Sequence, residues 1–139
     1  MKLTDKEVFA LSKQNIVDLT VTMGGTGSAT AKVYPGYKLV VVCSAAEVDE
    51  YVNVSTPFGF KLVDMVIIHQ NATACTVQAK NTAAVISDAV SIAASDTDVD
   101  KASTIDDTYY EFSTGNDDLR FAIATGAFTG IIICTIIPT

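Results

Sequence analysis

The chain has 139 residues and a mass of 14.7 kDa, a length at which one domain buries roughly 70% of its unfolded surface. Its residues are 49% hydrophobic and only 18% charged, which excludes intrinsic disorder, since disorder requires low hydrophobicity and high net charge. Acidic residues outnumber basic ones by 16 to 9. The resulting charge of −7 argues against a nucleic-acid binder, because phosphates attract a positive surface.

Targeting and redox signals are few. No apolar stretch follows residues 1–7, so we expect no signal peptide. The longest apolar run, residues 131–137, is far shorter than the roughly 20 residues of a membrane helix. Cys43, Cys75 and Cys134 each lie within an apolar, strand-like run. Their odd number and spacing predict free, buried thiols rather than a disulfide framework.

The first part of the chain predicts a β-hairpin. In residues 16–22, Val17, Leu19 and Val21 alternate with polar residues, as a half-buried strand requires. The glycine-rich segment 24–27 then leads into a second alternating run. We therefore predict that residues 1–46 form an N-terminal arm with this hairpin.

The strongest strand prediction covers residues 61–70, which are apolar on both faces. Strict alternation places Val63, Met65 and Ile67 on one face and Leu62 on the other. Apolar residues on both faces indicate a strand that is covered on both sides. One cover is the chain's own core, and a neighbouring subunit is the natural candidate for the other.

Residues 131–137 have the same doubly apolar character. We therefore expect the chain to associate with copies of itself through these two strands, which would account for the high apolar fraction. The predicted interface residues are Val63, Met65, Ile67, Ile132, Cys134 and Ile136.

The remaining segments also favour strands. Residues 75–80, 108–112 and 119–124 alternate or are aromatic, as strands are. Residues 81–94 fit either a helical turn joined to a strand or strand alone, and residues 96–107 fit an acidic loop or one helical turn. About eight to ten short strands with little helix predict an all-β sandwich or barrel.

Catalytic signals are weak. His69 is the only histidine, it ends a predicted buried strand, and the chain contains no Gly-x-Ser-x-Gly motif. The segment 24–27 lacks the Gly-Lys-Ser/Thr and helix of a phosphate loop. We expect neither an enzyme nor a bound cofactor.

One acidic cluster resembles a cation site. Asp96, Asp98 and Asp100 alternate as in a calcium-binding loop, with Asp107 at the twelfth position. Lys101 stands at the sixth position, where the sharp turn requires glycine. A solvated acidic loop is therefore favoured over calcium.

Residues 47–138 resemble a family of viral proteins. The segment 56–67 (TPFGFKLVDMVI) is similar to the first jelly-roll strand of certain tailed-phage head proteins. The segments 84–90 (AVISDAV) and 102–107 (ASTIDD) resemble the region that follows, and 119–121 and 130–133 resemble the closing strands. The family is that of tailed-bacteriophage capsid decoration (cement) and head-fibre proteins.

The resemblance implies a jelly-roll-like antiparallel β-sandwich over residues 47–139, after the arm of residues 1–46. It implies a structural virion protein, made in the host cytoplasm, that forms a homotrimer on the outer capsid surface. Its partner would be the major capsid protein, with no nucleic acid, membrane or catalysis involved. The alternative is a receptor- or glycan-binding head-fibre or adhesin module, which requires an exposed groove of aromatic and carboxylate side chains. The absence of tryptophan weighs against that alternative.

Overall fold

The computed structural model describes residues 16–69, 73–93, 99–106, 110–113 and 118–139. Every regular element within these ranges is a β-strand, which confirms the all-β prediction. The strands are β1 (Val17–Met23), β2 (Ser28–Tyr34), β3 (Lys38–Ala46), β4 (Tyr51–Ser55), β5 (Phe60–His69), β6 (Cys75–Asn81), β7 (Ala84–Val85), β8 (Val90–Ile92), β9 (Val99–Lys101), β10 (Glu111–Phe112), β11 (Leu119–Ala124) and β12 (Phe128–Pro138).

All strand pairs are antiparallel, in the order β10-β5-β12-β3-β2-β1-β4-β11-β6-β7, with β9 beside β5 and β8 beside β6. Strand β1 makes the sheet curl, because residues 17–19 pair with β2 and residues 20–23 pair with β4. We call the part containing β2, β3, β12, β5, β9 and β10 the β12 side. The part containing β4, β11, β6, β7 and β8 is the β11 side.

The predicted hairpin is confirmed, since β1 and β2 pair around the glycine-rich turn. Among the described residues, the sheet continues across residue 46, where a division was predicted. Strand β3 lies in the middle of the β12 side, where Val42 pairs with Ile131 of β12, and Leu39 and Val41 are fully buried in the common core. Local composition carries no information about the pairing of β3 with β12, and for that reason it suggested a separate arm. Residues 1–15 lie outside the described residues.

A single hydrophobic core lies inside the curl and draws on both sides of the sheet. The rings of Phe60 and Phe112 stack with centroids 4.6 Å apart, which fixes the short strand β10 against β5. Phe58 meets Phe60 edge-on at 6.2 Å. Gly130 admits a close approach of β5, since a Cβ there would lie 2.4 Å from the Ile68 carbonyl oxygen.

Strand β5 contains a β-bulge that reverses the predicted faces. On β12, the adjacent residues Thr135 and Ile136 pair with Asp64 and Leu62 of β5, so Val63 is the extra residue. Leu62 and Met65 are consequently both fully buried, whereas Val63 is 46% exposed. Strict alternation had placed Val63 with Met65, and that assignment is wrong.

The structure also corrects the predicted subunit interface. Met65, Ile67, Ile132, Cys134 and Ile136 are at most 1% exposed, because they form the inner face of the sheet and pack in the chain's own core. These five residues therefore present no surface to a second chain, and Val63 is the sole exposed member of the predicted set. The prediction that both strands are apolar on both faces holds, but the surface lies on the opposite face.

The two segments left open by the sequence contain strands in their described parts. Residues 81–93 include β7 and β8, and residues 99–101 form β9 on the edge of β5. An isolated bridge joins Ser87 to Ile105 and ties these two segments together. No helical turn appears within the described parts of either segment.

Candidate functional site

The outer face of the β12 side carries a contiguous apolar surface. Residues that pair directly across antiparallel strands lie on the same face. In one row, Ile131 of β12 stands between Val42 of β3 and Ile68 of β5. In the next row, Ile133 stands between Val40 and Val66. We call the six residues Val40, Val42, Val66, Ile68, Ile131 and Ile133 the β12 patch.

The β12 patch is open to solvent in part. Val42 is 47% exposed, and the other five members are half-buried. Val99 is 61% exposed, and it extends the row of Val42, Ile131 and Ile68 because it pairs with Ile68. Six β-branched side chains in register on a solvent-facing surface make the β12 patch a candidate interaction site.

Ion pairs flank the second row of the patch. On one edge, Lys32 Nζ lies 3.6 Å from an Asp18 carboxylate oxygen. On the other, Lys101 Nζ lies 3.4 Å from Asp64 Oδ2. Both lysines pair in register with patch residues, Lys32 with Val40 and Lys101 with Val66. An apolar centre with a charged rim is the usual anatomy of a protein–protein interface.

The outer face of the β11 side is polar and contains a groove, which we call the β11 groove. Its floor includes Ala122 and Ala124 of β11, whose small side chains leave a cavity of about 370 Å³. The neighbouring strands place Tyr51 on one side and Gln78 on the other, because both pair with Ala122.

The ring of Tyr51 is fixed in the groove wall. Gly24 donates its backbone N–H to the Tyr51 carbonyl oxygen at 2.8 Å. A Cβ at Gly24 would lie 2.5 Å from the ring, so only glycine leaves room for the ring there. The guanidinium carbon of Arg120 lies 4.0 Å from the ring centroid, a cation–π contact. Arg120 Nε also donates to Asn53 Oδ1 at 2.8 Å.

Two cations meet at one end of the groove. Lys80 of β6 pairs directly with Arg120 of β11, and both line the cavity. Asp49 also lines the cavity, and its backbone N–H donates to the Ile123 carbonyl oxygen at 2.8 Å. Glu50 lines the cavity as well, and its Oε2 accepts a hydrogen bond from the Thr26 backbone N–H at 3.1 Å. The groove therefore combines an aromatic ring, two cations and two carboxylates.

The predicted chemical residues lie elsewhere. His69 is fully buried at the end of β5, opposite Gly130. Cys43, Cys75 and Cys134 are buried thiols without a disulfide bond, as predicted. Burial raises the pKa of the Cys43 thiol to about 12. Burial also raises the pKa of Cys134, and the nearby Asp64 carboxylate raises it further.

The acidic cluster proposed for calcium falls largely outside the described residues, which include neither Asp96 nor Asp98. Asp100 lies on β9 opposite Ile67. Within the described part of the chain, no group of three or more His, Cys, Asp or Glu residues could hold a metal ion.

Comparison with known proteins gave no family model, no curated protein and no solved structure that matches this chain. Among the described residues, no helix is long and apolar enough to span a bilayer.

Neither surface feature was predicted residue by residue. Doubly apolar strands indicate that an apolar surface exists, but the residues that form the β12 patch depend on the bulge in β5 and on the pairing of β3 with β12. The β11 groove has no sequence signal, because Tyr51, Lys80 and Arg120 are far apart in the chain.

Proposed function

We propose that this chain is a structural virion protein that decorates a tailed-phage capsid by binding between major capsid subunits, without catalysis. The observation that carries the proposal is the β12 patch, an apolar surface with a charged rim that suits burial against another protein. The resemblance of residues 47–138 to decoration proteins supplies the partner.

From the same resemblance we propose that the curled sheet is a jelly-roll-like sandwich. A jelly-roll-like sandwich would place the β12 side and the β11 side face to face around the core, with β1 as the strand they share. The division of β1 between β2 and β4 supports this arrangement. The burial of His69, the only histidine, supports a role without acid–base catalysis by an imidazole.

In the proposed assembly, three copies form a closed trimer on the outer capsid surface, and the β12 patch is covered by neighbouring copies and by the capsid. Covering the patch removes six β-branched side chains from water. Binding at many sites across a shell stabilises the assembled state by mass action, since the free subunits lack that contact.

The test uses heads of a phage whose genome carries this gene, prepared with the gene deleted. Purified protein is added back, and the temperature of DNA release is measured. We expect added protein to raise the release temperature, and the Val42→Lys variant to fail because it places a charge within the patch.

Thr20→Lys is the matched control, because Thr20 is exposed on β1 outside the patch and the charge change is the same. It should restore the release temperature as fully as the natural chain. Equal release temperatures with and without the natural protein would contradict the proposal, and full activity of Val42→Lys would contradict the role of the patch.

A further inference from the structure

We propose that the β11 groove binds an acidic saccharide, with the sugar carboxylate held between Lys80 and Arg120. The groove lies on the β11 side and shares no residue with the β12 patch, so this inference does not depend on capsid binding. It gives the chain a ligand site in addition to a protein-docking surface.

Two positive charges, those of Lys80 and Arg120, face each other across β6 and β11. Lys80 and Arg120 are direct cross-strand partners, an arrangement that destabilises a sheet unless an anion lies between the two cations. In the described part of the chain neither cation has a carboxylate partner, and the two ion pairs found there, Lys32–Asp18 and Lys101–Asp64, both lie on the β12 side. The positive charges of Lys80 and Arg120 can therefore be matched by the anionic group of a ligand at this end of the groove.

The guanidinium of Arg120 is held in position by the chain itself. Arg120 is held through Nε by the neutral Asn53 side chain and lies against the Tyr51 ring, so neither contact neutralises its charge. These contacts leave its two terminal nitrogens as donors, a geometry that matches a carboxylate. Fixing the side chain in advance lowers the entropic cost of binding.

The rest of the cavity favours a hydroxyl-rich ligand over a simple anion. Asp49 and Glu50 supply carboxylate acceptors that would repel a second negative group. Gln78 uses Nε2 to donate to the Ser87 carbonyl oxygen at 3.0 Å, and its Oε1 remains available as an acceptor. A ligand with one carboxylate and several hydroxyls satisfies both ends, and about 370 Å³ is within the size range of small-molecule sites.

The test measures binding of cellobiouronate (glucuronosyl-glucose), a disaccharide with one carboxylate, to the full chain by isothermal titration calorimetry, beside neutral cellobiose and inorganic phosphate. We expect cellobiouronate to bind at least about tenfold more tightly than cellobiose, since a charge-assisted contact contributes on that order. Lys80→Gln should weaken cellobiouronate binding by about the same factor. Lys32→Gln, which removes the same charge from the β12 side, should leave the affinity unchanged.

Arg120→Gln also removes contacts to Tyr51 and Asn53, so Lys80→Gln is the variant that decides, with its unfolding midpoint checked against the natural chain. Equal affinities for the two disaccharides, no binding at millimolar concentration, or unchanged affinity in Lys80→Gln would each overturn the proposal. Complete displacement of cellobiouronate by an equal concentration of phosphate would overturn the assignment to a saccharide.

Discussion

At the scale of single residues, the three cysteines lie in surroundings that oppose ionisation. All three are buried. Burial raises the pKa of Cys43 and of Cys134, and the Asp64 carboxylate, brought near by the pairing of β5 with β12, raises the pKa of Cys134 further.

The raised thiol pKa values predict alkaline sensitivity. In the folded chain the thiol of Cys43 has a pKa of about 12, whereas in the unfolded chain a thiol ionises near its ordinary pKa of 9.0. The stabilising difference is complete below pH 9 and is lost as the pH rises from 9 towards 12. We therefore expect the free energy of unfolding, measured in urea, to fall over that range.

Cys43→Ala is the comparison variant, and its stability should fall less steeply over the same pH range. A thiol-specific disulfide reagent at pH 8 should label the native chain slowly, at a rate limited by opening of the core. Rapid stoichiometric labelling of all three native cysteines would contradict their burial.

At the scale of elements, strands with regular alternation were predicted well, and irregular ones were not. Val17, Leu19 and Val21 on β1 lie on one half-buried face as predicted, and Cys75 and Val77 on β6 are buried. The bulge in β5 could not be predicted, because an apolar residue at every position from 65 to 68 gives no signal of which face is which.

The bulge makes a direct prediction about side-chain truncation. Met65→Ala should lower the free energy of unfolding by about 2–5 kcal/mol, because it removes a fully buried side chain. Val63→Ala, at the exposed bulge position, should change it by about 0.5 kcal/mol or less. Urea denaturation of both variants measures the difference.

Similar losses in the two variants would show that Val63 and Met65 share a face, as strict alternation requires. Ile132→Ala provides a further reference, because Ile132 is fully buried on the adjacent strand β12. Its loss should resemble that of Met65→Ala.

At the scale of the whole molecule, the all-β class was predictable because turn residues recur between short alternating segments throughout the chain. The curl was not, since it depends on β1 pairing with β2 at one end and β4 at the other. The β11 groove depends on the pairing of β11 with β4 and β6, which brings Tyr51, Lys80 and Arg120 from three strands onto one surface.

The doubly apolar strands connect the sequence to the proposed assembly. Sequence reasoning recognised that two covers are needed, but assigned the inner face to the partner and the outer face to the core. The core contains Met65, Ile67, Ile132, Cys134 and Ile136. The surface left for a partner is the β12 patch, and the central claim of the account is that copies of this chain associate through it.

The most direct measurement is the solution mass by light scattering after size exclusion, for the natural chain and for Val42→Lys. The account predicts about three times the 14.7 kDa chain mass for the natural protein and for the Thr20→Lys control. It predicts a mass near that of one chain for Val42→Lys, because a lysine within the patch opposes its burial. A natural chain that remains a monomer at all concentrations, or a Val42→Lys variant with the same mass as the natural chain, would contradict it.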